Sequence, residues 1–433
     1  MDFICLKRDF KLDQLQTFEN KNGIKPYIQN DMLYIPIEML NEKYINYYNV
    51  NKNSNRLKEE NEENEEIEEY DEDIINLNKI QPTGLVNIGG ICYLNAVLQC
   101  FFYCKPLTKY FLQPKNLHYF KNDVIRPISN GYYEFVKGLS SGNTHAASKF
   151  KKALMEADDT FIGKDGKDSK DVAVLLLSAI NDELQGENKE IFNTNSNLDH
   201  SNLKKMYEET LKMENKKKTI ITETFNYLIK YEQKCKNGCP KYYKKYFTLE
   251  SDNILIFELE KIYKNIHESS SYYERYPEIS LEECLQNYKQ PEFINCPYCG
   301  KESYNKNPTL KVRKAICSLP NIFIFVLSRG FNIQFDCKIK FNEELDMKYY
   351  YEPIKDEKNI KINTKYKLIG ATFAYDWTKG TRHTGHTVAF CKSFKGSNQS
   401  PQYYIFNDSS PRKTNINEIS EKVPYLLFYQ KCE

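Results

Sequence analysis

The chain has 433 residues, 61 of them basic and 59 acidic, for a formal net charge of +2. So even a balance provides no field for a nucleic-acid backbone or an anionic membrane surface, and no run of about 18 uninterrupted apolar residues exists to cross a bilayer. The length exceeds one ordinary core, so two or three lobes are expected, and 34 Tyr and 25 Phe supply apolar mass for them.

Thirteen cysteines, an odd number, argue against a disulfide framework. The opening MDFICLKRDF carries too many charges for a signal peptide. Reduced thiols in an intracellular compartment, cytoplasmic or nuclear, are the expectation. Residues 1–58 read as an N-terminal extension whose role the sequence does not disclose, with Met32–Leu40 as a short strand or packed turn. Residues 59–79 read as a linker: Glu59 to Asp73 is almost wholly acidic, and such runs are usually solvated. The main body begins near Ile80.

Gly84 to Phe102, GLVNIGGICYLNAVLQCFF, opens as a Gly- and Asn-rich loop and turns helical at Cys92. Tyr93, Leu94, Val97, Leu98, Phe101 and Phe102 then fall on one helical face. Cys92 would sit in the first turn, near unpaired backbone N–H groups that favour a thiolate. Asn87, five residues earlier, carries a carboxamide that could donate to a developing oxyanion. A buried structural cysteine at a helix start fits the same pattern.

Helices are expected at Asn130–Leu139, Ser148–Glu156 and Lys170–Leu184. Asp168 and Asp171 place two carboxylates at the start of the last, where they favour the helix dipole and could also face a basic peptide. Residues 185–218 are polar and read as a loop with a short helix. From Thr219 the texture becomes strand-like. Cys235-Lys-Asn-Gly-Cys239 and, some sixty residues on, Cys296-Pro-Tyr-Cys299-Gly300 are two close cysteine pairs on tight turns, four thiolates for one tetrahedral zinc ion. Cys284, in LEECL, fits a helix core better than a metal site.

The last third is rich in β-branched and aromatic runs bounded by turn residues: IFIFVLSRGF, YKLIGATFAY, HTVAFCKSF, QYYIFND and YLLFYQ. His386 opens one of them, and Asn407 and Asp408 close the next. A hairpin joining the two would set an amide or carboxylate beside the imidazole and fix its tautomer. The order Cys92, His386, Asn407 is that of papain-like thiol hydrolases. His383 competes for the role, but its flanks are turn-like.

GLVNIGGICYLNAVLQ resembles the cysteine box of the ubiquitin-specific proteases, and GHTVAF followed by YYIFNDSSP resembles their histidine box. The resemblance extends over about residues 80–430. It implies an α+β, papain-like fold with thumb (about 80–218), fingers (about 219–312) and palm (about 313–433), and a zinc-ribbon-like site in the fingers. It further implies a deubiquitinase acting on ubiquitin and ubiquitinated proteins, with Cys92 as nucleophile, His386 as base and Asn407 or the adjacent Asp408 as its partner. Asn87 would hold the oxyanion, and Asp168 and Asp171 would meet the ubiquitin tail. The N-terminal extension is a candidate site for a regulatory protein. Some positions depart from the family pattern: Gly90–Ile91 replaces Asn-Thr before the nucleophile, Thr387 replaces an aromatic residue, and only the Asp of Gln-Asp-Ala-Gln survives in Lys167-Asp168-Ser169-Lys170. These leave open a catalytically weak ubiquitin-binding scaffold, or a protease for a ubiquitin-like modifier.

Overall fold

The computed structural model describes residues 3–7, 27–29, 32–36, 76–120, 126–161, 168–185, 200–242, 244–267, 277–298, 309–330, 335–354, 362–374, 386–396, 401–420 and 422–432. Two compact units are present, Met1–Ile74 and Ile75–Glu433. In the first, β1 (Phe3–Lys7), β2 (Tyr27–Gln29) and β3 (Met32–Pro36) form an antiparallel sheet in the order β1-β3-β2. The strand option for the Met32 segment is therefore the one realised.

The second unit begins with helices. These are α1 (Cys92–Phe102), α2 (Lys105–Leu112), α3 (Leu117–Phe120), α4 (Pro127–Ser140), α5 (Ala147–Ala157) and α6 (Ser169–Gln185). The helical spacing of apolar residues placed α1, α4, α5 and α6 to within a few residues. The polar stretch expected as mostly loop instead holds a 14-residue helix, α7 (Leu203–Lys216), whose only buried residue is Met206. Its sequence hides it because almost every position is solvated.

Thr219 to Cys235 was expected as continuous strand and is not. Thr219 accepts from the Thr222 backbone while the Thr222 hydroxyl accepts from the Thr219 backbone, a capping box that starts a short helix, α8 (Ile220–Phe225). Ile221, Thr224 and Phe225 are its buried residues. The strand proper, β4 (Tyr227–Cys235), follows, then β5 (Tyr246–Asp252), β6 (Leu255–Glu258), α9 (Leu259–Ile266), β7 (Glu278–Ser280), α10 (Leu281–Tyr288), β8 (Glu292–Ile294) and β9 (Leu310–Ile316). Cys284 is fully buried in α10, as its context suggested.

The remaining elements are β10 (Ile322–Ser328), β11 (Lys338–Lys340), β12 (Glu344–Asp346), β13 (Lys365–Ala374), β14 (Thr387–Gly396), β15 (Pro401–Asn407), β16 (Ser410–Thr414), α11 (Ile416–Ser420) and β17 (Val423–Lys431). A large sheet runs β16-β15-β14-β13-β17-β10-β6, with β12 beside β13, and a small sheet runs β5-β4-β9-β8. Pairing in the large sheet is antiparallel except for β10 with β6.

Strand periodicity explains how the large sheet serves two cores at once. Ile322, Ile324 and Val326 of β10 point into the cluster formed with the helices; Phe323, Phe325 and Leu327 point into a second cluster on the other face. Helix α1 lies against the first face. Its Phe101 meets Phe225 of α8 and Phe428 of β17 edge-on, with centroids 5.9 and 5.2 Å apart. The C-terminal end of α1 is thereby held against the large sheet. Among the described residues, no helix is long and apolar enough to cross a membrane.

Candidate active site

Cys92 is the first residue of α1 and is partly exposed, whereas every later residue of that helix is buried. The helix has no side-chain cap of the usual kind at Ile91. Asn87 supplies a substitute from the preceding loop: its Oδ1 accepts from the backbone N–H of Ile91 at 3.0 Å and of Gly89 at 3.3 Å. Gly89 and Gly90 have φ of 110° and 66°, left-handed values that a glycine adopts without strain. This accounts locally for the Gly-Gly pair. Burial, with Cys92 adding to it, pushes the Tyr93 phenol up to about 12, so the residue beside the candidate nucleophile stays neutral.

His386 immediately precedes β14, and Asn407 ends the neighbouring strand β15. Their side chains meet, His386 Nε2 to Asn407 Oδ1, at 2.5 Å. An amide oxygen can only accept, so Nε2 carries the proton and Nδ1 is left with a lone pair. Asp408, the next residue, lies 3.6 Å from the same Nε2 through its Oδ2. It adopts a left-handed φ of 47°, tolerable for Asp, in the two-residue turn between β15 and β16.

The turn at Asp408 also ties the histidine side of the site to the cysteine side. Asp408 Oδ2 accepts from Asn87 Nδ2 at 3.1 Å, and Oδ1 accepts from Asn95 Nδ2 at 2.9 Å. The Asp408 carbonyl accepts from the Leu85 backbone at 2.9 Å. Gly84 has no room for a side chain, since a Cβ there would lie 2.4 Å from the Ser409 carbonyl carbon. Asn95 sits one turn along α1 from Cys92, is buried, and also reaches the carbonyls of Leu85 and Val86 at 3.3 and 3.4 Å. The cysteine loop, the first turn of α1 and the hairpin turn of β15–β16 thus form one hydrogen-bonded unit.

Sequence reasoning missed Asn95. A signal existed, since a carboxamide amid the apolar run of a buried helix needs a partner; identifying that partner required Asp408, 313 residues away. Asn87 was expected to aim at an oxyanion. It spends its Oδ1 on the loop and one N–H on Asp408, leaving the second N–H in a fixed orientation.

Asp168 caps α6: its Oδ1 accepts from the Lys170 backbone at 2.8 Å, and its Oδ2 accepts from the Tyr425 hydroxyl at 2.8 Å. Burial first, then the Asp168 carboxylate, raises the Tyr425 pKa, so this donor keeps its proton. Asp171 is exposed and pairs with Lys170 at 3.3 Å. His383 and Cys299 lie outside the described residues.

Cys235, Cys239 and Cys296 form a separate buried cluster able to hold a metal ion, their sulfurs all within 4.8 Å of one another. Cys239 and Cys296 are 3.5 Å apart, close to the ~3.8 Å between two thiolates at ~2.3 Å from a tetrahedral ion. Gly238, with φ of 65°, makes the turn that returns the chain to Cys239. Burial and the neighbouring thiols Cys296 and Cys235 push the Cys239 thiol up to about 11 against a bond from the Tyr242 backbone. Metal binding to such a set of thiols releases their protons.

Residues 83–429 match the family model described as "Ubiquitin carboxyl-terminal hydrolase". The chain is 22% identical over 368 residues to Ubiquitin carboxyl-terminal hydrolase 2 of Homo sapiens, covering 80% of this chain and 54% of the relative. It is 24% identical over 371 residues to Ubiquitin carboxyl-terminal hydrolase 25 of Arabidopsis thaliana, covering 81% and 47%. The chain therefore spans about half the length of these two curated relatives. Its fold is similar to a chain of the SAGA Ubp8/Sgf11/Sus1/Sgf73 DUB module bound to ubiquitin aldehyde, with a TM-score of 0.57, 20% identity, and coverage of 81% of this chain and 70% of that one. The resemblance carried by the two boxes thus extends to fold and to most of the chain, which belongs to the ubiquitin carboxyl-terminal hydrolase family.

Proposed function

We propose that the protein is a thiol-dependent deubiquitinase that hydrolyses the peptide or isopeptide bond after the C-terminal glycine of ubiquitin. The observation that carries this reading is the 2.5 Å contact between His386 Nε2 and Asn407 Oδ1. It places the ring proton on Nε2, in a site whose next residue, Asp408, is bonded to the loop and first turn around Cys92.

In this reading His386 Nδ1 takes the Cys92 thiol proton, and the sulfur adds to the glycine carbonyl. The free N–H of Asn87 and the backbone N–H groups at the start of α1 donate to the oxyanion. His386 then gives its proton to the leaving lysine amine as the C–N bond breaks. Water, deprotonated by the same imidazole, hydrolyses the thioester and restores the thiol. Asn407 holds the ring plane. Asp408 sits 3.6 Å from the same nitrogen and braces Asn87.

Asp168 and Asp171 offer carboxylates to the basic tail of ubiquitin, Asp171 from an exposed position and Asp168 from a cap that also anchors Tyr425. Cys235, Cys239 and Cys296, with Cys299 as the fourth ligand, would hold one structural zinc ion. An all-thiolate set suits zinc, and such a site stabilises a fold without taking part in the reaction.

The test is release of a fluorophore from a C-terminal amide of ubiquitin, run beside the same amide of ubiquitin-like modifiers. Turnover of the ubiquitin amide at least about tenfold faster than the others is expected. Turnover of another modifier alone would reject the substrate assignment.

A further inference from the structure

At the end of the large sheet away from His386, a cavity of about 510 Å³ opens between strands β13, β14 and β17, the α1–α2 junction and the segment at Leu77. Its volume is that of a small-molecule site. Lys392 and His386 are six residues apart along one strand, roughly 20 Å at ~3.3 Å per residue, so the cavity is distinct from the candidate active site. Four of its lining residues are lysines: Lys105, Lys367, Lys392 and Lys431.

Lysines gathered around one cavity are mutually repulsive unless each is neutralised, and here not all of them are. Lys367 pairs with the exposed Glu344 at 3.0 Å, and Lys431 donates to the Leu319 carbonyl at 2.9 Å. Lys105 and Lys392 have neither a hydrogen bond nor an ion pair among the described residues. The carboxylate that acts on Lys392, Glu343, makes no direct bond to it and accepts from the Tyr403 hydroxyl. Lys105 is also the first residue of α2, where the helix dipole disfavours a cation and favours an anion. Burial, followed by the charges of Lys367 and Lys105, lowers the pKa of Lys392; burial lowers that of Lys431. A half-buried lysine that has lost water and gained no partner is unfavourable in the empty protein. A bound anion would remove that cost.

We propose that this cavity binds a compact polyphosphate anion, with Lys392, Lys367 and Lys105 as its cationic groups; the Lys431 ammonium is turned away to the Leu319 carbonyl and the Tyr366 ring. A ligand with several phosphates suits positive groups that come from two strands and a helix start. The site is independent of the reaction at Cys92.

The experiment is calorimetric titration of the full chain with inorganic tripolyphosphate. Saturable binding of one ion per chain is expected, weakened at least about tenfold in Lys392→Met and in Lys367→Met, each of which loses a charge-assisted contact. Lys392→Arg should keep binding. Lys149→Met, which alters an exposed lysine paired with Glu134, should leave it unchanged. Without ligand, Lys392→Met should melt no lower than the natural protein, since only an unpaired charge is lost; this separates weak binding from misfolding. Displacement by adenosine triphosphate would assign the polyphosphate to a nucleotide, and displacement only by inositol hexakisphosphate to an inositol phosphate; either supports the site. No saturable binding, or equal binding by natural protein and Lys392→Met, would overturn it.

Discussion

Cys92→Ala is expected to reduce hydrolysis of a ubiquitin C-terminal amide by about 10⁴-fold or more, ~5 kcal/mol of transition-state stabilisation, while leaving ubiquitin affinity within a few fold. The reasoning separates the sulfur from its surroundings. Alanine is a good helix former at the first position of α1, and the side chain removed is partly exposed, so little packing is lost. The bonds from Asn87 and Asn95 to Asp408 do not involve the thiol and persist. No other thiol on the helix can substitute. Cys100, about two turns along α1, and Cys104, just beyond its end, are fully buried, and burial holds the Cys104 thiol well above the ordinary range. Steady-state kinetics beside a binding isotherm checks both halves. Appreciable turnover by the variant would remove Cys92 from the mechanism, and lost binding would show that it serves structure.

The second large effect concerns the cysteine cluster. If the cluster holds the proposed zinc ion, treatment with a chelator, or Cys296→Ser, is expected to unfold the cysteine end of the small sheet β5-β4-β9-β8 while the large sheet survives. The cluster around the cysteines is Cys235, Cys239, Cys296, Tyr242, Leu310 and Val312, so half of it is thiol, whereas Tyr227 and Ile229 of β4 and Ile316 of β9, at the other end of the sheet, pack into the second core of the large sheet. A cluster of that size cannot offset the chain entropy of this end of the sheet by apolar burial alone, and structural zinc supplies folding energy directly. Hydrogen exchange provides the readout. Amides at the cysteine end of β4 and β9 should lose protection, whereas those of β13, β14 and β17 should keep it. Metal analysis should find one zinc ion per chain. A metal-free preparation in which that end of the small sheet stays protected would contradict the assignment.

Much of the fold could be read from the chain because its signals are local. Helical spacing after Cys92 and in Lys170–Leu184, and the aromatic runs of the last third, correspond to α1, α6 and the strands of the large sheet. Where the reading failed, the deciding contact was either short and specific or far away. The Thr219–Thr222 capping box turned an apparently alternating stretch into helix. Helix α7 was understated because it buries only Met206. Short strands such as β11 and β12 carry too few residues for a pattern, and they exist because neighbouring strands offer edges.

The candidate site divides in the same way. Cys92, His386 and Asn407 are legible from residue type and flanking pattern, and a hairpin between β14 and β15 does bring the last two together. The function of Asp408 as a brace is not legible. It depends on Asn87 and Asn95 reaching one carboxylate across more than 300 residues of sequence, and on a glycine at position 84 that admits the turn. Asp168 shows the opposite case, where a position suited to capping proved to be a cap and its second oxygen found Tyr425.

The central claim is that Cys92 and His386 act together on the C-terminus of ubiquitin. Reaction of the purified protein with ubiquitin bearing a C-terminal electrophile, followed by peptide mapping of the adduct, tests it most directly. One covalent adduct on Cys92 is expected, absent in Cys92→Ala and formed much more slowly in His386→Ala. Absence of an adduct from folded, zinc-loaded protein, or an adduct on another cysteine, would contradict the account.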